Sequence, residues 1–129
     1  MFIMIEPTSS VPIYEQLTRQ IIEGIVKGEI KVGDTLPSVR AMAADLGVNM
    51  HTVNKSYKAL AEKGVVTIKA KSGAVVCAGD ALNEQQLLYL QQALKPVLAE
   101  GIVLGATEQQ LENMLQQLLR ELTTKEAML

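Results

Sequence analysis

The stretch Leu36-Pro37-Ser38-Val39-Arg40-Ala41-Met42-Ala43-Ala44-Asp45-Leu46-Gly47-Val48-Asn49-Met50-His51-Thr52-Val53-Asn54-Lys55-Ser56-Tyr57-Lys58-Ala59-Leu60 decides the fold. Val39, Met42, Ala43 and Leu46 recur at helical spacing, and so do Val53, Tyr57, Leu60 and Ala61. Ser38 stands where its hydroxyl can cap the first of these helices, and Asn49 where it can cap the second. Gly47 supplies a left-handed stop between them, and Gly64 ends the second helix. Two short helices joined by Leu46-Gly47-Val48-Asn49 carry the signature of a helix-turn-helix, whose turn is three to four residues long and contains glycine.

Upstream, residues Met1 to Val11 read as an extended arm that ends in a cap-like Ser9-Ser10 pair. Pro12 follows where a first helical turn tolerates proline. Ile13, Leu17, Ile21, Ile22, Ile25 and Val26 then predict a helix over about Pro12 to Lys27, stopped by Gly28. Lys31 to Pro37 reads as a loop. Downstream, Val65-Val66-Thr67-Ile68 and Ala74-Val75-Val76-Cys77 flank the Gly-containing connector Lys69 to Gly73, which predicts a β-hairpin. A hairpin directly after a helix-turn-helix is a wing.

The pattern changes at Ala78-Gly79-Asp80. A Leu- and Gln-rich helix is predicted over about Asn83 to Leu104, with Pro96 expected to kink or interrupt it. Thr107-Glu108-Gln109-Gln110 has capping-box spacing and opens a last helix. The expected class is therefore mainly α with a small β-hairpin: a winged helix-turn-helix over residues 1–78 and a two-helix tail over 79–129.

Composition narrows the function. Apolar residues make up 48% of the 129, enough for a core, and aromatics only 3%, so that core is aliphatic. No apolar run approaches the ~20 residues that span a bilayer. The first six residues lack the basic n-region of a signal peptide. The single Cys77 allows no internal disulfide. These features point to a soluble cytoplasmic chain. One His, one Cys and no Gly-rich phosphate loop leave little from which to build a catalytic or metal site. Neither an enzyme nor a cofactor is expected, and Cys77 reads as a small packed residue. The net charge of −2 runs against nucleic-acid binding, but the charge is uneven. Residues 1–78 hold nine Lys/Arg against seven Asp/Glu, whereas residues 79–129 hold three against seven.

Residues 5–77 resemble the GntR family of winged-helix regulators. The resemblance rests on Leu36-Pro37-Ser38-Val39-Arg40, Ala43, Leu46-Gly47-Val48-Asn49, Thr52-Val53, Lys55, Tyr57, Leu60 and Gly64. The opening Pro12-Ile13-Tyr14-Glu15-Gln16-Leu17 and the loop Gly33-Asp34-Thr35-Leu36-Pro37 fit as well. The short tail is similar to the YtrA-like subfamily, whereas other subfamilies carry a large effector or aminotransferase-like domain there. The resemblance implies a transcriptional regulator, a repressor, that binds double-stranded operator DNA as a homodimer. It also implies that Arg40 contacts DNA, with a surface or ion-paired arginine as the plainer alternative.

A helix fits the major groove and meets base edges with its leading residues. That end of the third helix carries Asn49, Met50, His51 and Thr52, with Asn54 and Lys55 one turn on. Asn49 and Thr52 have two roles open to them, cap and base contact. Ser38, in its capping position, is counted with the same DNA-facing set. Lys55, Lys58, Lys69 and Lys71 are expected to meet phosphates, against the simpler reading of solvated lysines. Two positions depart from the family pattern. Met50 stands where many members have Arg, and the wing has Lys71 and Val75 in place of a glycine and an aromatic. Lys71 can either reach a phosphate or block close approach to the minor groove.

In the tail, Leu87, Leu90, Leu94 and Leu98 form one stripe, and Leu111, Met114, Leu115, Leu118 and Leu122 another. These are the expected dimerisation residues, with an intramolecular helical hairpin as the alternative. A small-molecule effector is left open, since the tail shows no ligand constellation. The competing function is a protein-interaction adaptor that uses the same fold without DNA.

Overall fold

The computed structural model describes residues 3–70, 72–77 and 79–123. The chain divides into two compact units, Met1–Gly79 and Asp80–Leu129. The first contains α1 (Ile13–Val26), α2 (Val39–Leu46), α3 (Met50–Glu62), β1 (Val66–Lys69) and β2 (Gly73–Val76); the second contains α4 (Glu84–Val103) and α5 (Glu108–Thr123). No helix among the described residues is long and apolar enough to cross a membrane.

The helix-turn-helix forms for the reasons its sequence suggests. The Ser38 hydroxyl oxygen accepts the Ala41 N–H at 3.0 Å and starts α2. Gly47 ends it at φ 67°, ψ 34°, a left-handed conformation in which a Cβ costs roughly 1–2 kcal/mol. The Asn49 side-chain oxygen then accepts the His51 N–H at 2.7 Å and starts α3.

Around these helices lies one apolar core. Leu17 and Ile21 from α1, Met42 and Ala43 from α2, and Val53, Tyr57 and Leu60 from α3 are buried together with Val66, Ala74 and Val76 of the hairpin. Ile30 and Leu36 join them from a segment with no helical or strand pattern. The chain turns at Gly28 (φ 82°), and the N–H groups of Glu29 and Ile30 both donate to the Gly24 carbonyl, which brings Ile30 back onto α1. The core also holds one polar pair. The Thr18 hydroxyl donates to the Tyr14 carbonyl at 2.7 Å, which uses its only proton. The Ser56 hydroxyl, 2.8 Å from Thr18 Oγ1, must therefore be the donor across the α1–α3 seam.

β1 and β2 pair antiparallel, Val66 opposite Val76 and Lys69 opposite Gly73. Both strands lie one residue away from the expected spans. Val65 stays outside the strand pairing, where its carbonyl accepts the Cys77 N–H at 2.9 Å, and Lys69 belongs to the strand instead of the connector. The segment expected as a loop also pairs with β2. Gly33 N–H donates to the Val76 carbonyl, Val76 N–H to the Asp34 carbonyl and Leu36 N–H to the Ala74 carbonyl, at 2.8–2.9 Å. β2 is thereby bonded on both edges.

Two further local expectations are corrected. Pro12, not Ser9 or Ser10, is the α1 N-cap and makes no side-chain cap bond; Ser9 Oγ accepts the Val11 N–H in a turn before it. The arm is held by side-chain amides instead. Gln20 bonds both the N–H and the carbonyl of Met4, and Gln16 those of Glu6. Pro96 does not interrupt α4, which runs unbroken from Glu84 to Val103. Pro96 and Gln92, the residue whose carbonyl loses its helical partner, are both exposed. Capping boxes open both tail helices: Asn83 with Gln86, and Thr107 with Gln110.

The buried hydroxyl pair gives a direct test. Thr18→Val leaves the Ser56 donor unsatisfied and is expected to cost about 1–3 kcal/mol. Adding Ser56→Ala should recover part of that loss, read by urea denaturation of the single and double variants. Equal or greater loss in the double variant would show that the pair does not couple the helices.

Candidate nucleic-acid interface

Helical periodicity divides α3 into two faces. Val53, Ser56, Tyr57 and Leu60 are buried, which leaves Met50, His51, Asn54, Lys55, Lys58 and Glu62 exposed. The leading end of the helix is thus open: Met50 is 46% exposed, and Asn49 and His51 are exposed beside it. Thr52 is half-buried. Asn49 does cap the helix, but only through its oxygen, so its side-chain NH2 remains a donor at the surface. Ser38 likewise spends its oxygen on the α2 cap.

Arg40 is the second residue of α2 and is exposed. Tyr57 links this end of α2 to α3: its hydroxyl donates to the Pro37 carbonyl at 2.7 Å. Lys58 is the next residue along α3, on its exposed side. The Tyr57 ring is almost fully buried, and burial pushes its hydroxyl from 10.0 up to about 12, since a tyrosinate there would lose its hydration. The neutral phenol is the form that holds the loop.

Lys69 is exposed at the end of β1, opposite Gly73. Lys71 lies outside the described residues. Lys55 is exposed, but its ammonium sits 4.2 Å from the centre of the Tyr14 ring on α1, a cation–π contact. No short-range pattern could have revealed this partner, which is 41 positions away in the chain. At the far edge of the hairpin, Cys77 is partly buried with its sulfur against the Thr67 hydroxyl and the Val75 carbonyl. Among the described residues no group of His, Cys, Asp and Glu is placed to hold a metal ion.

In the tail, none of the expected dimerisation residues is buried. Leu87, Leu90, Leu94 and Leu98 on α4 are exposed, as are Met114, Leu115, Leu118 and Leu122 on α5. Leu111 is half-buried and meets α4 near Gly101, where an added Cβ would lie 3.1 Å from Leu111 Cδ2.

A three-helix core, a helix-turn-helix with an open leading end and a two-sided wing define a winged-helix DNA-binding protein. The family described as bacterial regulatory proteins, gntR family, matches residues 13–76. The HTH-type transcriptional repressor YtrA of Bacillus subtilis is 33% identical over 118 residues, 90% of this chain and 91% of that protein. Among solved structures, YtrA from Sulfolobus acidocaldarius, a GntR-family transcription factor, aligns with a TM-score of 0.64 at 37% identity over 92% of this chain and 97% of that one. A transcriptional antiterminator from Listeria monocytogenes aligns with a TM-score of 0.86 at 26% identity, over 95% and 93% of the two chains. The chain belongs to the GntR family and is a DNA-binding transcriptional regulator.

The state of Tyr57 can be followed by pH. Its folded-state value is raised above that of the unfolded chain, so its contribution to stability is complete below about pH 10 and is lost as pH rises through about 12. Ultraviolet titration of tyrosinate should show a component near pH 12 that vanishes in Tyr57→Phe. Loss of an ordinary component near pH 10 in its place would contradict the buried placement.

Proposed function

We propose that the chain is a repressor that binds a pseudo-palindromic operator as a homodimer. The winged unit reads DNA, and the tail joins two copies. The observation that carries this reading is the open leading end of α3, whose polar residues face solvent while its apolar stripe is spent on the core. Asn49, Met50, His51, Thr52 and Asn54 meet base edges, and Arg40 pairs with a guanine. Ser38 positions α2, and Lys55, Lys58, Lys69 and Lys71 meet phosphates. The Bacillus subtilis repressor supports the sign of the effect on transcription.

The tail favours a dimer over a self-contained hairpin. A hairpin would bury the α5 stripe against α4, yet Met114, Leu115 and Leu118 remain 51%, 46% and 47% exposed. A second copy removes them from water, at roughly 25 cal/mol for each Å² of apolar surface covered. Two-fold pairing then sets two α3 helices about 34–36 Å apart, or a multiple of that, to match successive turns of one DNA face. A role on operator DNA implies a cytoplasmic location.

Selection of bound sites from random duplex DNA, followed by mobility shift across a salt series, tests this reading. Arg40→Ala should lose about 1–3 kcal/mol on the selected site and relax preference at one base pair. Lys69→Gln should lower the slope of log affinity against log salt by about 0.9. The absence of duplex binding at low salt would overturn the proposal. Separately, Leu115→Asp with Leu118→Asp should turn a dimer into a monomer in sedimentation equilibrium; a monomeric native chain would remove the tail from this role.

A further inference from the structure

We infer that Tyr14 is a positioning residue for DNA binding, acting through Lys55. This rests on the DNA-binding reading above and adds to it a residue from outside the helix-turn-helix. Lys55 lies on the α3 flank nearest α1, since Ser56, the next residue, bonds Thr18 of α1. Its ammonium is held 4.2 Å from the centre of the half-buried Tyr14 ring. The ring springs from a backbone position tied into the α1–α3 seam: the Tyr14 carbonyl accepts the Thr18 hydroxyl, which Ser56 of α3 also bonds. The Tyr14 hydroxyl makes one long bond, 3.3 Å to Glu15 Oε1 of its own helix, at the edge of the ring and not on its face.

A lysine side chain has four rotatable bonds, and ordering it against a phosphate costs rotamer entropy. Much of that ordering is already present when the ammonium rests on an aromatic face. The ring takes one side of the cation and leaves its other N–H groups free to donate. Lys55 is exposed, so those donors face outward on the side of α3 that carries His51 and Lys58. The flat face of Tyr14 thus selects, before DNA arrives, the Lys55 conformer that meets a backbone phosphate. Lys58, with no ring beside it among the described contacts, serves as the internal contrast.

The test is a double-mutant cycle on the full chain with its selected duplex. Tyr14→Leu should weaken binding about two- to fivefold, the range set by a solvent-exposed cation–π contact. The same change in a Lys55→Gln background should have no effect, and Tyr14→Phe should restore native affinity, because the ring and not the hydroxyl does the positioning. Equal losses in both backgrounds, or a loss in Tyr14→Phe matching that in Tyr14→Leu, would overturn the inference. If Tyr14→Leu fails to fold, nuclear magnetic resonance of the native chain decides: the Lys55 ε-methylene protons should be shifted upfield by the ring and those of Lys58 should not. Unshifted Lys55 signals would refute the pairing. A native chain that binds no duplex defeats the underlying DNA reading, and one that binds but shows no coupling defeats this inference alone.

Discussion

Burial of one stripe of α3 is the constraint on which the rest depends. Val53, Ser56, Tyr57 and Leu60 recur every three or four residues and can enter the core only together. Once they do, His51, Asn54, Lys55 and Lys58 are committed to the opposite side. The Ser56–Thr18 hydroxyl pair sharpens this commitment, because a rotation of α3 about its own axis would strand a polar group in an apolar core. Which side of α3 faces solvent is thus fixed from inside.

Much of this was legible in the chain because it is local. Caps, glycine stops and helical periodicity act within a few residues, so Ser38, Gly47 and Asn49 announced their roles. What could not be read is what depends on distant partners. Ile30 and Leu36 look like loop residues until α1 and the wing surround them. The pairing of residues 33–36 with β2 has no periodic signal in so short a run. Gln16 and Gln20 satisfy the backbone of the arm at Glu6 and Met4, 10 and 16 positions away. Pro96 does not end α4, since the residue whose carbonyl loses its partner, Gln92, is exposed to solvent.

The overall charge was a poor guide for a related reason. An acidic total of −2 averages over two units with different surroundings. What binds is governed by the charge of a surface and not by the total, and on the winged unit the exposed side of α3 and the end of β1 carry lysines 55, 58 and 69. The acidic excess belongs to the tail, where it can keep an otherwise leucine-rich segment soluble.

The double-sided bonding of β2 has a consequence for biosynthesis. When the ribosome has released the three helices, Gly33 and Leu36 still have no carbonyls to meet, because Val76 and Ala74 are not yet made. Closing that gap of some forty residues carries a loop-closure entropy that no local contact offsets, and the closed pairing anchors the approach to α2 and the wing together. A nascent chain that has released only α1, α2 and α3 therefore lacks both the wing and the residues Val66, Ala74 and Val76 that complete the core those short helices need.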